Sequence, residues 1–264
     1  MAGNAWARTV REQLGIGRVL PLGGPADGAW ITERAARAAL LRATGTPPGV
    51  RLADLRLSLA APDDAPAPAV QGPPSALPPG PLRIAADFTA PPGRPLPALA
   101  ARLRTALLTT AEDGLGLRVG AVDLRVTDLL DGADGGRNGP LEGPRNGPRN
   151  GPRDGEAPGG EDTAREGAGP GGDEREPADL AARVLAVPGV ARLAPALAGR
   201  SRPVPRTGGH VLIQLTTAAG HRPLDVARAV RRAVTGPPPA PESAAVLVTA
   251  VASDCRPVTA GRCG

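Results

Sequence analysis

Apolar and polar positions alternate in a regular way over most of the chain. Over residues 32–43 the spacing is helical: Ala36, Ala39, Leu40 and Ala43 share one side, and Glu33, Arg34 and Arg37 lie mostly on the other. Thr32 stands where an N-cap is needed. Leu55, Leu57 and Leu59 then alternate with Arg56 and Ser58, and Leu82, Ile84, Ala86 and Phe88 alternate likewise, as half-buried strands do. Pro95 opens a second helix, where its missing N–H costs nothing, with Leu96, Leu99, Leu103, Ala106 and Leu107 as its stripe. Val122, Leu124 and Val126 predict a closing strand. The order is α-β-β-α-β.

The C-terminal part repeats that order. Leu180, Val184 and Val187 predict a short helix, Val211, Ile213 and Leu215 a strand, Val226, Val230 and Val234 the stripe of a helix opened by Pro223, and Val246 to Val251 a closing strand. The first strand of this half should lie near 190–197, although Pro195 interrupts it. Short matches recur in the same sequence order: Ala35-Ala36-Arg37 with Ala181-Ala182-Arg183, Pro48-Gly49-Val50 with Pro188-Gly189-Val190, and Arg94-Pro95-Leu96 with Arg222-Pro223-Leu224. Leu124–Leu129 likewise parallels Val246–Val251. The helix stripes imply an offset one residue smaller than the Arg-Pro-Leu match, which a one-residue slip at the helix start reconciles.

The expected fold class is therefore α+β, an internal duplication of two α-β-β-α-β modules. The expected divisions are an amphipathic segment (1–26), a first module (27–130, with a Pro-rich loop at 62–81), a disordered linker (131–177), a second module (178–252) and a disordered tail (253–264). The linker carries tandem Gly-Pro-Arg-Asn units at Gly143–Asn146 and Gly147–Asn150, and Leu141 is its one large apolar residue. Such a stretch has too little apolar surface to offset its chain entropy.

Charge sharpens this division. All 31 basic residues are arginine, a bias of the kind GC-rich codons produce, so arginine abundance alone is weak evidence for a nucleic-acid partner. Residues 131–177 are acidic on balance, and residues 178–264 are the most basic part. No stretch approaches the roughly 18 apolar residues of a membrane span, and the N-terminus lacks a signal-peptide core. With cysteine only at Cys255 and Cys263, no disulfide framework is implied and a cytoplasmic setting is expected.

The α-β-β-α-β unit with Pro-Gly-Val after its first helix is similar to the alkaline shock, or envelope stress response, protein family; the resemblance covers about residues 30–130 and 178–251 and implies a link to envelope stress. The block Gln13–Gly23, with Asp27-Gly28-Ala29-Trp30-Ile31, resembles an actinomycete group labelled the nucleopolyhedrovirus p-ten family. The segments Pro78–Phe88 and Val122–Leu130 resemble it too. Neither resemblance implies a catalytic residue or a cofactor.

The chemistry that residue types exclude is extensive. Without lysine there is no Walker lysine and no Schiff-base amine; without tyrosine there is no phenolic acid. No serine has a Gly-x-Ser-x-Gly setting. His210, His221, Cys255 and Cys263 are spaced too widely for usual zinc pairs, so no metal is expected. Gly114, Gly116 and Gly120 follow a helix and precede a strand, the reverse of a dinucleotide loop, and read as a turn.

Two surfaces remain as partner-binding candidates. Arg228, Arg231 and Arg232 lie opposite the Val226/Val230/Val234 stripe and, with Arg200, Arg202 and Arg206, could form an anion-binding surface, or a solvated helix face. Trp6, Val10 and Leu14 form a short stripe able to dock on a partner, on a membrane surface or on the chain's own first module. Trp30 reads as core. Exposed aromatics for base stacking are missing, which disfavours nucleic acid. The expectation is a non-catalytic interaction or scaffold protein with a protein partner, with membrane-proximal association and homo-oligomerisation left open. The alternative is a regulatory module holding a small anionic ligand between its two domains.

Overall fold

The computed structural model describes residues 17–44, 49–129, 175–194, 206–207, 209–235 and 240–253. Nearly all of the expected linker, the Trp6/Val10/Leu14 stripe and both cysteines lie outside these residues. The fold is mixed α+β, with four α-helices and two sheets among the described residues. In chain order the elements are β1 (Val19–Pro21), β2 (Ala29–Thr32), α1 (Glu33–Ala43), β3 (Arg51–Leu59), β4 (Leu82–Ala90), α2 (Leu96–Thr109) and a π-helical turn (Thr110–Leu115). Next come β5 (Val119–Leu129), α3 (Arg175–Leu185), β6 (Val190–Leu193), β7 (Arg206–Thr207), β8 (His210–Thr217), α4 (Pro223–Val234) and β9 (Ser243–Val251). No helix among these is long and apolar enough to cross a membrane.

The smaller sheet has the order β3-β4-β5, with β3 antiparallel and β5 parallel to β4. In the larger sheet β6 is antiparallel and β9 parallel to β8, the same senses in the same chain order. Details correspond as well. The β4–β5 ladder slips at Thr127, whose Oγ1 donates to the Phe88 carbonyl (3.4 Å). The β8–β9 ladder slips at Thr249, whose Oγ1 donates to the Leu215 carbonyl (3.1 Å). Gly49 and Gly189, each after the first helix of its half, have φ of 80° and 90°, a left-handed conformation that suits glycine. α2 starts after Pro95 and α4 after Arg222. The helix starts thus share the offset of the buried Leu99/Leu103/Leu107 and Val226/Val230/Val234 stripes, and the Arg-Pro-Leu match is the one displaced.

The larger sheet also differs from the expected divisions. β1 and β2 form a hairpin across the 26/27 boundary, and β2 pairs in parallel with β9: Ala29 with Val246, Trp30 with Leu247, Ile31 with Val248. Residues assigned by sequence to an amphipathic segment and a first module therefore complete the sheet of the second half. The helix expected from Leu180, Val184 and Val187 spans Arg175–Leu185, so it starts before residue 178, the expected start of the second module.

Both faces of this sheet are buried near its centre, a setting typical of parallel strands. On one face Leu20, Ile31, Val211, Ile213, Leu215, Val246 and Val248 join α1, α3, α4 and the Leu55, Leu57, Leu82 and Ile84 side chains of the smaller sheet in a single apolar cluster. On the other face Val19, Trp30, Ala245 and Leu247 pack beneath the Pro-rich loop, against Val70 and Ala76. That loop is held by Leu77 N–H to the Val19 carbonyl (2.9 Å), Ala69 N–H to Pro25 (3.1 Å) and the Trp30 indole to the Leu77 carbonyl (3.4 Å). Thr32 caps α1 by accepting from Ala35 N–H (3.2 Å) and donates to the Thr249 carbonyl, tying the helix start to β9.

Leu20, Leu22, Trp30 and Ile31 are all essentially fully buried. At roughly 1.5–3 kcal/mol per large apolar side chain, their burial contributes about 6–12 kcal/mol before entropy costs. A domain's whole net stability is of similar size, about 5–15 kcal/mol. The hairpin therefore cannot detach without threatening the fold. Residues 1–130 and 175–264, produced as two separate chains, should purify as one 1:1 complex and unfold together. Two well-folded fragments that ignore each other in size-exclusion chromatography would contradict the shared core.

Candidate functional site

The helix α4 is built by a simple pattern. Pro223 starts it, Val226, Val230 and Val234 recur on its buried side, and Arg228, Arg231 and Arg232 fall elsewhere. The three arginines do not form one free face. Arg228 makes a two-pronged ion pair with Asp27, Nε to Oδ1 at 2.8 Å and Nη2 to Oδ2 at 3.1 Å. Arg231 is half-buried; its Nε donates to the Ala244 carbonyl (2.9 Å) and its Nη1 to the carbonyls of Ala26 (2.8 Å) and Asp27 (2.5 Å). Both side chains thus clamp the 24–27 turn onto α4, a task suited to the planar, multi-donor guanidinium. Arg232 remains exposed, with one long bond from Nε to the Arg228 carbonyl (3.4 Å). A trough of about 680 Å³ runs over this face, lined by Asp225, Arg228, Arg231, Arg232 and Thr235.

Electrostatics at the clamp follow from its partners. Burial pushes the Asp27 carboxyl up, but hydrogen bonds from Arg228 and the Gly24 N–H, with the charges of Arg228 and Arg231, outweigh it and hold the group below its usual value. Burial pulls Arg231 below the ordinary guanidinium range, and the Asp27 charge acts against that.

A second, narrower cleft of about 370 Å³ opens at the N-terminal end of α4. Its walls come mainly from three parts of the chain, with Pro81 beside them: Gly23 and Gly24 of the hairpin, Glu112 and Gly116 to Val119 after α2, and Arg222, Leu224 and Arg228 at the start of α4. Gly23 N–H donates to the Gly116 carbonyl (3.1 Å), which joins the first two walls. Gly116 (φ 88°) ends the π-helical turn, and a Cβ there would stand 2.3 Å from Leu224 Cβ, so only glycine lets the third wall approach. Arg222 Nη2 donates to the Glu112 carbonyl at 2.6 Å, while its buried Nε has no hydrogen-bond partner among the described residues. Arg118 is exposed and makes no ion pair among the described residues. Arg222 is also the N-cap residue of α4, without a capping bond. A cation at the positive end of a helix dipole is electrostatically unfavourable. Asp225, 3.7 Å from Arg222, offsets this in part.

Local sequence reasoning passed over Arg118 and Arg222. An arginine immediately before a helix-opening proline was the available signal, because it opposes the helix dipole. The other candidates fall as follows. His210 Nδ1 lies 2.8 Å from Ser243 Oγ, and burial lowers its pKa. His221 is exposed, its ring against Gly189. No group of three His, Cys, Asp or Glu able to hold a metal occurs among the described residues. Arg200 and Arg202 lie outside the described residues, as does the side chain of Arg206. Comparison of the chain with protein-family models, with curated proteins and with solved structures finds no match.

Asp27 is the acid that organises the clamp, and its depressed pKa fixes the sign of a pH effect. A carboxyl with a lower pKa in the folded state stabilises above its unfolded value, near 3.8, and that stabilisation is lost as pH falls through the folded value. Asp27→Asn should cost about 1–2 kcal/mol at pH 7, Arg228 being nearly half exposed and so partly screened. The difference from wild type should begin to narrow as pH falls below about 4 and be smaller at pH 3 than at pH 7. Urea unfolding at pH 7 and pH 3 checks both points.

Proposed function

We propose that the protein is a non-catalytic binding protein made of two copies of one α-β-β-α-β unit, which takes an anionic group in the cleft at the start of α4. The matching strand senses, the threonines at the same ladder slip and the left-handed glycines after the first helices support the duplication. The connection between the copies runs through residues 130–174. One observation carries the ligand reading: Arg118 and Arg222 converge with a helix N-terminus on one cleft, beside the Arg228–Asp27 pair, and only Glu112 among the described lining residues is acidic. Arg118 is exposed and about a third of the Arg222 side chain is open to solvent, and guanidinium groups recognise phosphate and carboxylate through paired hydrogen bonds. The cleft supplies cations and apolar wall, with no histidine, serine or cysteine among its described lining residues. Because its walls belong to the hairpin, the first sheet's elements and α4, a bound anion would stiffen the junction of the two halves.

A scaffold reading centred on the outer face of α4 is weaker on the same grounds, since Arg228 and Arg231 are already engaged with the 24–27 turn. Calorimetric titration with inorganic pyrophosphate in low salt separates the two. Binding should weaken at least about tenfold in Arg118→Gln and in Arg222→Gln, each removing charge-assisted hydrogen bonds, and should be unchanged in Arg232→Gln. It should also weaken as salt rises. Loss of binding in Arg232→Gln alone would move the site to the α4 face, and no binding by wild type would remove the anion reading.

A further inference from the structure

The two sheets treat their equivalent edges differently. In the larger sheet the outer edge of β9 is covered by β2. In the smaller sheet β5 occupies the matching place, and no strand among the described residues pairs with its outer edge. β5 is also the longer strand, with residues 125–129 all exposed, Val126 and Leu129 among them. Arg104 of α2 donates to the Val122 carbonyl at 3.4 Å, a long bond that covers one acceptor of this strand.

The residues along the edge have a self-complementary order. Val122, Leu124 and Val126 alternate with Asp123 and Arg125. When two β5 strands meet antiparallel about a two-fold axis, residues directly opposite must point to the same face, so the axis passes through a residue position. An axis at Asp123 sets two carboxylates against each other, and one at Arg125 sets two guanidiniums together. An axis at Leu124 places Asp123 opposite Arg125 of the second copy, twice, and Val122 opposite Val126, with the leucines at the centre. Like charges directly opposite are destabilising and opposite charges favourable, so one register is selected against its neighbours. The Asp123 and Arg125 side chains are more than half exposed; Asp123 lies 3.4 Å from Arg83 and Arg125 makes a two-pronged pair with Asp87, so a contact across the edge would be shared with these neighbours on β4.

We propose that β5 pairs with β5 of a second copy of this chain, in the antiparallel register centred on Leu124, joining two three-stranded sheets into one of six strands. This inference stands apart from the anion cleft, which lies at the N-terminal end of α4.

Sedimentation equilibrium over the micromolar range tests it in a charge-swap series. Wild type should dimerise. Asp123→Arg and Arg125→Asp should each weaken the dimer at least about tenfold while circular dichroism stays unchanged, since both positions are exposed. Mixing the two variants should restore a dimer, because one copy then carries an arginine at both positions, the other an aspartate at both, and each contact joins opposite charges. The double variant Asp123→Arg/Arg125→Asp should also dimerise with itself. A monomeric wild type would mean that the edge is guarded by its charges or covered by other residues of the same chain, and the proposal would fall. Dimers in both single variants, or no heterodimer on mixing, would place any association elsewhere.

Discussion

β2 and β9 lie more than two hundred residues apart in sequence and meet as adjacent parallel strands. Their ladder puts Trp30 and Leu247 on one face and Ile31, Val246 and Val248 on the other. Locally β2 is paired only with the three-residue β1, and an isolated two-stranded hairpin is marginal in water. The strand is held by burial on both faces and by the arginines of α4. Arg231 reaches under the 24–27 turn to bond its carbonyls and, in the same grip, the Ala244 carbonyl at the start of β9. Arg228 closes the turn through Asp27, whose other role is to accept the Gly24 N–H. The cleft, the covered sheet face and the placement of α1 all depend on this hairpin being where it is.

That dependence explains how arginine is used. In a chain without lysine, the permanent side-chain cations are all guanidiniums, with several donors in a fixed fork. Arg231 directs its donors to three backbone carbonyls, and Arg228 directs two to one carboxylate. Arg222 has one donor on the Glu112 carbonyl and a buried Nε left over. The same residue type thus serves as a structural clamp along α4 and as a wall of the cleft at its N-terminal end.

Much of the fold can be read in the sequence where one face of an element is wet. Leu55 and Leu57 against Arg56, or Leu99, Leu103 and Leu107 against Arg102 and Arg104, give clean periods because solvent lies on the opposite side. The hairpin is invisible to that test. In β2 all four residues are buried, so no alternation marks it, and β1 is too short to show a period. Trp30 reads as core, but its neighbours, Val70 and Ala76, come from a Pro-rich stretch whose composition suggests only a loop. The candidate site fails to show for a different reason. Arg118 and Arg222 are separated by more than a hundred residues and come to one cleft through the packing of Gly116 on Leu224 and the Arg222–Glu112 bond, while the obvious local cluster, Arg228 and Arg231, is taken up by a turn some two hundred residues away in sequence.

Amide hydrogen exchange under native conditions reaches the shared-core claim most directly. Amides bonded in the β2–β9 ladder, among them the Val246 N–H that donates to the Gly28 carbonyl at 3.0 Å, should open only by global unfolding. Their free energy of exchange should match that of Ile84 at the centre of the smaller sheet. Exchange of the 19–32 and 243–251 amides several kcal/mol more readily than Ile84 would show a hairpin that opens on its own, and would contradict a single core held together by β2.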